Sequence, residues 1–257
     1  MPNPGLPLVA GNWKMNTTID EGVKLAEAVR LGTAGVEGQV EVAVLPPFPH
    51  LRPVYDEIRH SHVELGAQDV FWERTGAFTG EVSPVMLAGW CEHALVGHSE
   101  RRHVLHESDD EVGRKFAAAL AEGLHAILAV GELEEERDAG ECFTVIDRQL
   151  GAALQFVPSA PTPDHYVIAY EPCWAIGTGR TATPEQAQEV CQHIKEWLTE
   201  RTGAAPRVLY GGSVTPENAA SLFAETAIDG ALVGGASLRA EQFAAIVAAA
   251  APGARVG

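Results

Sequence analysis

Basic residues are in short supply. Lys and Arg total 18 against 35 Asp and Glu, which leaves a formal net charge of −17. Binding to nucleic acid needs a basic face to meet the phosphate backbone, so this balance argues against that class of partner. It also means that any anionic ligand must be attracted by local donors rather than by the field of the whole molecule. Cysteine is scarce too. Cys91, Cys142, Cys173 and Cys191 stand far apart, with neither the close spacing of a zinc site nor the density of a disulfide scaffold. Free thiols in a reducing compartment are the simpler reading. Long apolar runs are missing: the longest, Phe243 to Ala251, falls far short of the ~20 residues a membrane helix needs. The opening Met1-Pro2-Asn3-Pro4-Gly5-Leu6 lacks the basic flank and apolar stretch of a secretory signal, so a cytoplasmic protein is expected.

What is present is a rhythm. Eight short, nearly continuous apolar runs read as strands buried on both faces: Leu8–Ala10, Val40–Leu45, Val63–Ala67, Ala94–Gly97, Ala126–Val130, Tyr166–Tyr170, Arg207–Tyr210 and Ala231–Gly234. Helix-patterned segments separate most of them. Ser108-Asp109-Asp110-Glu111 fits a capping box, followed by an apolar face of Val112, Phe116, Ala119 and Leu120. Thr183-Pro184-Glu185-Gln186 and Thr215-Pro216-Glu217 each place a hydroxyl cap before a proline suited to the first helical position. Eight strand–helix units across 257 residues allow about 32 residues each. Such alternation implies an α/β fold with a parallel sheet, either closed as a barrel or open and doubly wound. Periodicity alone does not separate the two. No Gly-x-Gly-x-x-Gly follows the first run, which weakens a dinucleotide-binding version of the open sheet. No linker or low-complexity tract divides the chain, so one domain over residues 1–257 is expected.

One connection breaks the rhythm. Gln68 to Ser83 is long and rich in aromatics and glycine, including Phe71, Trp72, Gly76, Phe78 and Gly80. Loops of that length inside compact domains usually serve a function, and exposed aromatics there would form an interaction patch. The strand ends are more telling. The first run leads into Gly11-Asn12-Trp13-Lys14-Met15-Asn16, the fourth into His98-Ser99-Glu100-Arg101-Arg102, and the sixth into Glu171-Pro172-Cys173-Trp174-Ala175-Ile176-Gly177-Thr178-Gly179. Gly211-Gly212-Ser213 and Gly234-Gly235 close the seventh and eighth. In a barrel, a cation, an imidazole, a carboxylate and two glycine turns would therefore meet on the rim where such folds carry their chemistry. His60 and His62 form a His-x-His, but they precede the third run, on the opposite rim, and read as surface residues.

Gly11–Asn16, Gly76–Ser83, Val96–Arg102, Ala169–Gly179, Tyr210–Ser213 and Gly234–Gly235 resemble, in this order and spacing, the triosephosphate isomerase family over essentially the whole chain. The resemblance implies a single-domain (β/α)8 TIM barrel. It also implies interconversion of dihydroxyacetone phosphate and D-glyceraldehyde 3-phosphate through an enediol(ate), in glycolysis and gluconeogenesis, without cofactor or metal. Glu171 would be the general base, a carboxylate beside an apolar loop whose closure removes water and strengthens it as a base. His98 would be the electrophile, kept neutral by a helix start at Ser99 and donating a hydrogen bond to the substrate oxygens. Lys14 would stabilise the developing oxyanion and face the phosphate, with Asn12 as hydrogen-bonding partner and Glu100 as a supporting acid. The phosphate would rest on backbone N–H groups of Gly177, Ser213, Gly234 and Gly235. Pro172 to Gly179 would form a lid that excludes water and protects the enediolate. A homodimer is implied as well, with the Gln68–Ser83 loop entering the partner and Thr79 near the partner's site.

Two positions depart from the family pattern. Ala129-Val130-Gly131-Glu132 lacks the usual cysteine, and His106 stands where glycine is common. Both are expected to affect packing or stability, not the reaction. Other phosphate-sugar barrels fit less well: a Schiff-base aldolase needs a lysine inside the barrel, and Lys14 is the only lysine among the strand ends. A metal-dependent epimerase needs a His/Asp cluster on the rim, which the sequence does not offer. A non-catalytic scaffold would have no use for a base, electrophile, cation and lid kept together.

Overall fold

The structure, a computed structural model, describes residues 5–175 and 181–252. Eight parallel strands close on themselves: β1 (Leu8–Asn12), β2 (Glu41–Leu45), β3 (Val63–Ala67), β4 (His93–Val96), β5 (His125–Val130), β6 (Tyr166–Tyr170), β7 (Arg207–Tyr210) and β8 (Gly230–Val233). Closure is made by β1 against β8, with Val9 opposite Ala231. The alternative of an open sheet is thereby removed. Three strands have the bounds expected from the sequence, and the others differ by one or two residues at an end. β4 stops at Val96 because Gly97, at φ +71°, leaves the extended region.

Period-two alternation sorts the strand residues into two cores. Leu8, Ala10, Ala43, Leu45, Leu95, Ile127, Ala129, Val167, Ala169, Leu209 and Leu232 fill the barrel interior. Their neighbours, such as Val9, Val42, Val44, Val96, Leu128 and Ile168, pack outward against the helices with Phe116, Ile194 and Phe243. The helices are α1 (Ile19–Thr33), α2 (Leu51–Ile58), α3 (Pro84–Leu87), α4 (Ser99–His103), α5 (Asp109–Ala121), α6 (Glu134–Asp138), α7 (Cys142–Gln155), α8 (Pro184–Thr202), α9 (Ala219–Phe223) and α10 (Ala240–Ala250). The predicted capping box forms, with the Ser108 side chain accepting from Glu111 N before α5, and the hydroxyl cap expected at Thr183 accepts from Gln186 N before α8. Thr215 does not cap a helix. It begins a turn in which Asn218 Oδ1 accepts from Thr215 N at 2.8 Å, and α9 starts later, at Ala219.

The N-terminal end of the barrel interior is charged but paired. Arg207 NH1 lies 2.6 Å from Glu41 Oε2, and His93 Nε2 lies 2.7 Å from Glu64 Oε2. Unpaired buried charges would be costly, and these are not left unpaired. His62 is half-buried rather than free on the surface, its Nε2 2.8 Å from Thr33 Oγ1. Among the described residues no group of His, Cys, Asp and Glu could hold a metal ion, and no helix is long and apolar enough to cross a membrane.

Candidate active site

The C-terminal strand ends surround a cavity of about 460 Å³ lined by Asn12, Lys14, His98, Glu171, Ser213, Gly234 and Gly235, with Gly211, Leu232 and Arg239. Strand parity explains much of this. Asn12 continues the inward series Leu8–Ala10, Glu171 continues Val167–Ala169, and Gly211 and Gly234 continue Leu209 and Leu232. Each is the next inward position beyond the packed interior, where side chains no longer meet a full set of neighbours.

Glu171 is buried, at 2% exposed. Its Oε2 accepts from Ser99 N at 2.8 Å, and its Oε1 lies 3.2 Å from His98 Nε2. Space around it is set by glycines. A Cβ on Gly131 would lie 1.7 Å from Glu171 O, so only glycine lets β5 pass the end of β6 there. A Cβ on Gly211 would come within 2.8 Å of Glu171 Cγ.

His98 precedes the short helix α4, and its Nδ1 accepts from Glu100 N at 3.2 Å. A ring nitrogen that accepts carries no proton, so the imidazole is neutral with its hydrogen on Nε2, the atom that faces Glu171. Arg102 secures this turn from behind: its Nε donates to Gly97 O at 2.7 Å and its NH2 to Ala129 O at 3.1 Å.

Lys14 holds a left-handed conformation at φ +54°, uncommon for a residue with a Cβ. The surroundings enforce it. Lys14 N donates to Asn12 Oδ1 at 3.0 Å, and Gln68 Nε2 donates to both Lys14 O and Leu45 O at 2.8 Å. The ammonium then reaches Glu100 Oε1 at 2.7 Å. Local strain held in this way is a recurrent feature of sites that must present one side chain in one direction. Gly234 lies beside the same lysine: a Cβ there would sit 3.4 Å from Lys14 Cε. Main chain at Gly234 and Gly235 thus borders both the cavity and the ammonium.

Gly177 lies outside the described residues, as does half of the expected lid. Its start is described: Cys173–Ala175 form one helical turn after Pro172. Trp174 Nε1 donates to Glu132 Oε1 at 2.9 Å, and the same oxygen accepts from Tyr170 OH at 3.1 Å and from Arg137 NH1 at 3.0 Å. The role of Glu132 as anchor for this turn went unseen in the sequence, although a Gly-Glu pair closing β5 was a usable signal. Ser99 N and Gly211 escaped for a different reason, since one acts through its backbone and the other by lacking a side chain.

The long loop roots itself in the same region. Asp69 is buried and takes a bidentate bond from Lys115 Nζ at 2.8 and 2.9 Å, with Arg101 Nε at 3.0 Å and Glu107 bonded to both cations. Burial, only partly offset by Lys115, pushes Asp69 up to about 6. Beyond this root the loop closes its neck through Phe71 N to Val82 O at 2.8 Å, while residues 73–81 are exposed.

A family model described as triosephosphate isomerase matches residues 7–250. Curated relatives named triosephosphate isomerase include that of Pelobacter propionicus, 50% identical over 247 residues, covering 94% of this chain and 97% of the relative. Those of Roseiflexus sp. strain RS-1 (49% over 249 residues, 94% and 96%) and Carboxydothermus hydrogenoformans (48% over 246 residues, 94% and 97%) are similar to the same extent.

Proposed function

The chain belongs to the triosephosphate isomerase family and interconverts dihydroxyacetone phosphate and D-glyceraldehyde 3-phosphate, a step of glycolysis and gluconeogenesis, and we propose that Glu171 is its base and His98 its electrophile. In the resting site the Glu171 carboxylate is held by Ser99 N and His98 Nε2. When it turns into the cavity it exchanges those bonds for the carbon-bound hydrogen next to the substrate carbonyl, and the Nε2–H of His98 becomes free to donate to the substrate oxygens. The proton taken by Glu171 returns to the neighbouring carbon, and His98 moves protons between the two oxygens. Negative charge that develops on oxygen is met by the Lys14 ammonium, held in place by Asn12 and Glu100. The phosphate rests on main-chain amides at Ser213, Gly234 and Gly235, with Gly177 contributing from the lid.

The observation that carries this reading is one cavity onto which Glu171, His98 and Lys14 all open, bordered on one side by Gly234–Gly235. A coupled assay starting from dihydroxyacetone phosphate tests it. The wild type turns substrate over, a chelator leaves the rate unchanged, and Glu171→Gln loses at least ~10³-fold while remaining folded. A Glu171→Gln variant that keeps its rate would overturn the assignment of the base.

The reading extends to one barrel domain over residues 1–257, a cytoplasmic location and a homodimer. A second cavity of about 360 Å³ adjoins the first and is lined by Met15, Phe48, Gln68, Leu95, Glu100 and Leu105. Met15 is 95% exposed, and Phe78, Val85 and Met86 are exposed apolar residues on or just after the long loop. A second copy's 68–83 loop covers this ground, with Thr79 near the partner's site. Sedimentation shows two chains on this proposal, and a stable, fully active monomer would refute it. Four unpaired thiols fit a reducing compartment.

A further inference from the structure

Among the described residues two cations line the cavity, Lys14 and Arg239, and they differ in what surrounds them. Lys14 Nζ is 2.7 Å from the Glu100 carboxylate, so its charge is locally balanced. Arg239 follows the single turn Gly235–Leu238, and its backbone is fixed by Arg239 N donating to Ala236 O at 3.2 Å. Its guanidinium is exposed, and among the described residues it has no carboxylate within 4 Å and no hydrogen-bond partner. Among the described residues, Glu171, Glu100 and Lys14 leave the site with a net negative charge when Arg239 is set aside, inside a chain whose formal charge is −17. A phosphate monoester brings a further −1.5 to −2 at neutral pH. The expected main-chain cradle offers only partial charges to meet it.

We propose that Arg239 is the substrate-recruiting cation of this site, an unbalanced guanidinium at the rim beside Gly234 and Gly235 that draws the phosphate group in and holds it through charge rather than through chemistry. The inference rests on the isomerase reading but concerns the phosphate alone. For a separation taken as ~8 Å in near-aqueous surroundings, a unit charge and a dianion interact strongly enough to change association about fivefold. Salt at 0.15 M, with a Debye length of about 8 Å, reduces that to about twofold.

The test compares wild type with Arg239→Gln, Arg239→Lys and Arg239→Glu at ionic strengths near 0.01 and 0.15 M. In the glutamine variant kcat/KM falls about fivefold at low salt and about twofold at high salt, through KM, while kcat stays within twofold. Lysine restores the wild-type values, and glutamate roughly squares the loss. Inorganic phosphate, titrated by calorimetry and as a competitive inhibitor, weakens by the same factors. Isomerisation of unphosphorylated glyceraldehyde, which has no charge to recruit, is unchanged. An equal loss with glyceraldehyde, a loss in kcat alone, or an Arg239→Gln variant with wild-type KM and phosphate affinity at low salt would each overturn the proposal. Should the wild type bind phosphate yet fail to isomerise triose phosphate, the isomerase reading falls, and the phosphate titrations of the variants still decide the role of Arg239.

Discussion

Replacing Gly211 by alanine adds one methyl group to the floor of the site, and its consequence can be worked from distances. The backbone at Gly211 lies outside the left-handed region, so alanine meets a problem of space only. Its Cβ would sit 2.8 Å from Glu171 Cγ and 3.2 Å from Tyr170 O. Ordinary contact begins near 3.4 Å, so the glutamate side chain must retreat by about 0.6 Å, the difference between 3.4 and 2.8 Å. A misplacement of ~1 Å in a reacting group costs about 10²-fold, which scales to about tenfold here. The coupled assay at saturating dihydroxyacetone phosphate should therefore show kcat reduced about tenfold. Overpacking of this size costs ~1–3 kcal/mol, so melting falls by several degrees without loss of the fold. Gly131→Ala provides the contrast. Its Cβ would lie 1.7 Å from Glu171 O and 2.6 Å from Glu171 C, atoms of the backbone that cannot swing away, and Glu171 N already bonds Val130 O at 2.8 Å. That variant should fail to accumulate as folded protein. If Gly211→Ala kept wild-type kcat, or lost only KM, the methyl would lie in open space or in the path of the substrate, and the argument from the base would be wrong.

Further expectations concern other parts of the molecule. Glu171→Asp withdraws the carboxylate by ~1.5 Å, beyond the bond it makes with Ser99 N at 2.8 Å, and should lower turnover by ~10²-fold or more with little change in melting temperature. His106, exposed and at φ +61°, bears the left-handed strain that glycine avoids; His106→Gly should stabilise by about 0.5–1 kcal/mol after the entropy glycine adds to the unfolded chain, raising melting by ~2 °C. A melting temperature that fell would show that the His106 side chain makes up for its backbone. At the N-terminal end of the barrel, burial and the adjacent His93 hold His125 down to about 4, with His165 adding to the effect and Glu64 opposing it. The unfolded histidine takes up its proton near 6.5 and the folded one only near 4, so stability present above 6.5 is lost as pH falls through that window. Thermal melts should show a drop between pH 6.5 and 4 that is shallower in His125→Asn, and identical slopes would refute it.

How far the fold was readable can be judged from particular strands. β3, β6 and β7 have the bounds that Val63–Ala67, Tyr166–Tyr170 and Arg207–Tyr210 announced, because each is a short, largely apolar run that gives way to Gln68, Glu171 or Gly211, with Glu64 and Arg207 as the charged exceptions near the start of β3 and β7. Bounds slipped where conformation, not polarity, ended the strand, as at Gly97. Closure itself was not readable from periodicity, since an open sheet of the same strands would show the same runs. It depends on Val9 meeting Ala231, a pairing across most of the chain. Thr215 misled because a hydroxyl followed by proline satisfies the local rule for a helix start, while residues 216–218 form a turn and α9 begins only at Ala219.

The site poses a sharper question, because the barrel carries charge at both ends. Glu41, Glu64, His93 and Arg207 form as suggestive a group of acids, imidazole and cation as Lys14, His98, Glu100 and Glu171 do, and composition offers nothing to choose between them. Chain direction does. All eight strands run parallel, so residues that precede strands share one rim and residues that follow them share the other. At the first rim strand geometry pairs the charges one to one, Arg207 with Glu41 and His93 with Glu64, so each charge is already met by a fixed opposite partner. At the second rim the strands end before the series is complete. Glu171 must borrow a backbone N–H from Ser99, His98 accepts one from Glu100, and Lys14 is turned by a strained backbone toward a carboxylate that is half exposed. Bonds to main-chain donors and to a half-exposed acid can be exchanged for bonds to a ligand that enters the cavity, which a reacting group requires and a structural pair does not. The residues gathered around this cavity were legible because they follow strands. Their readiness was not, because it resides in backbone donors and in the clearances that Gly131 and Gly211 leave, and neither has a side chain to read.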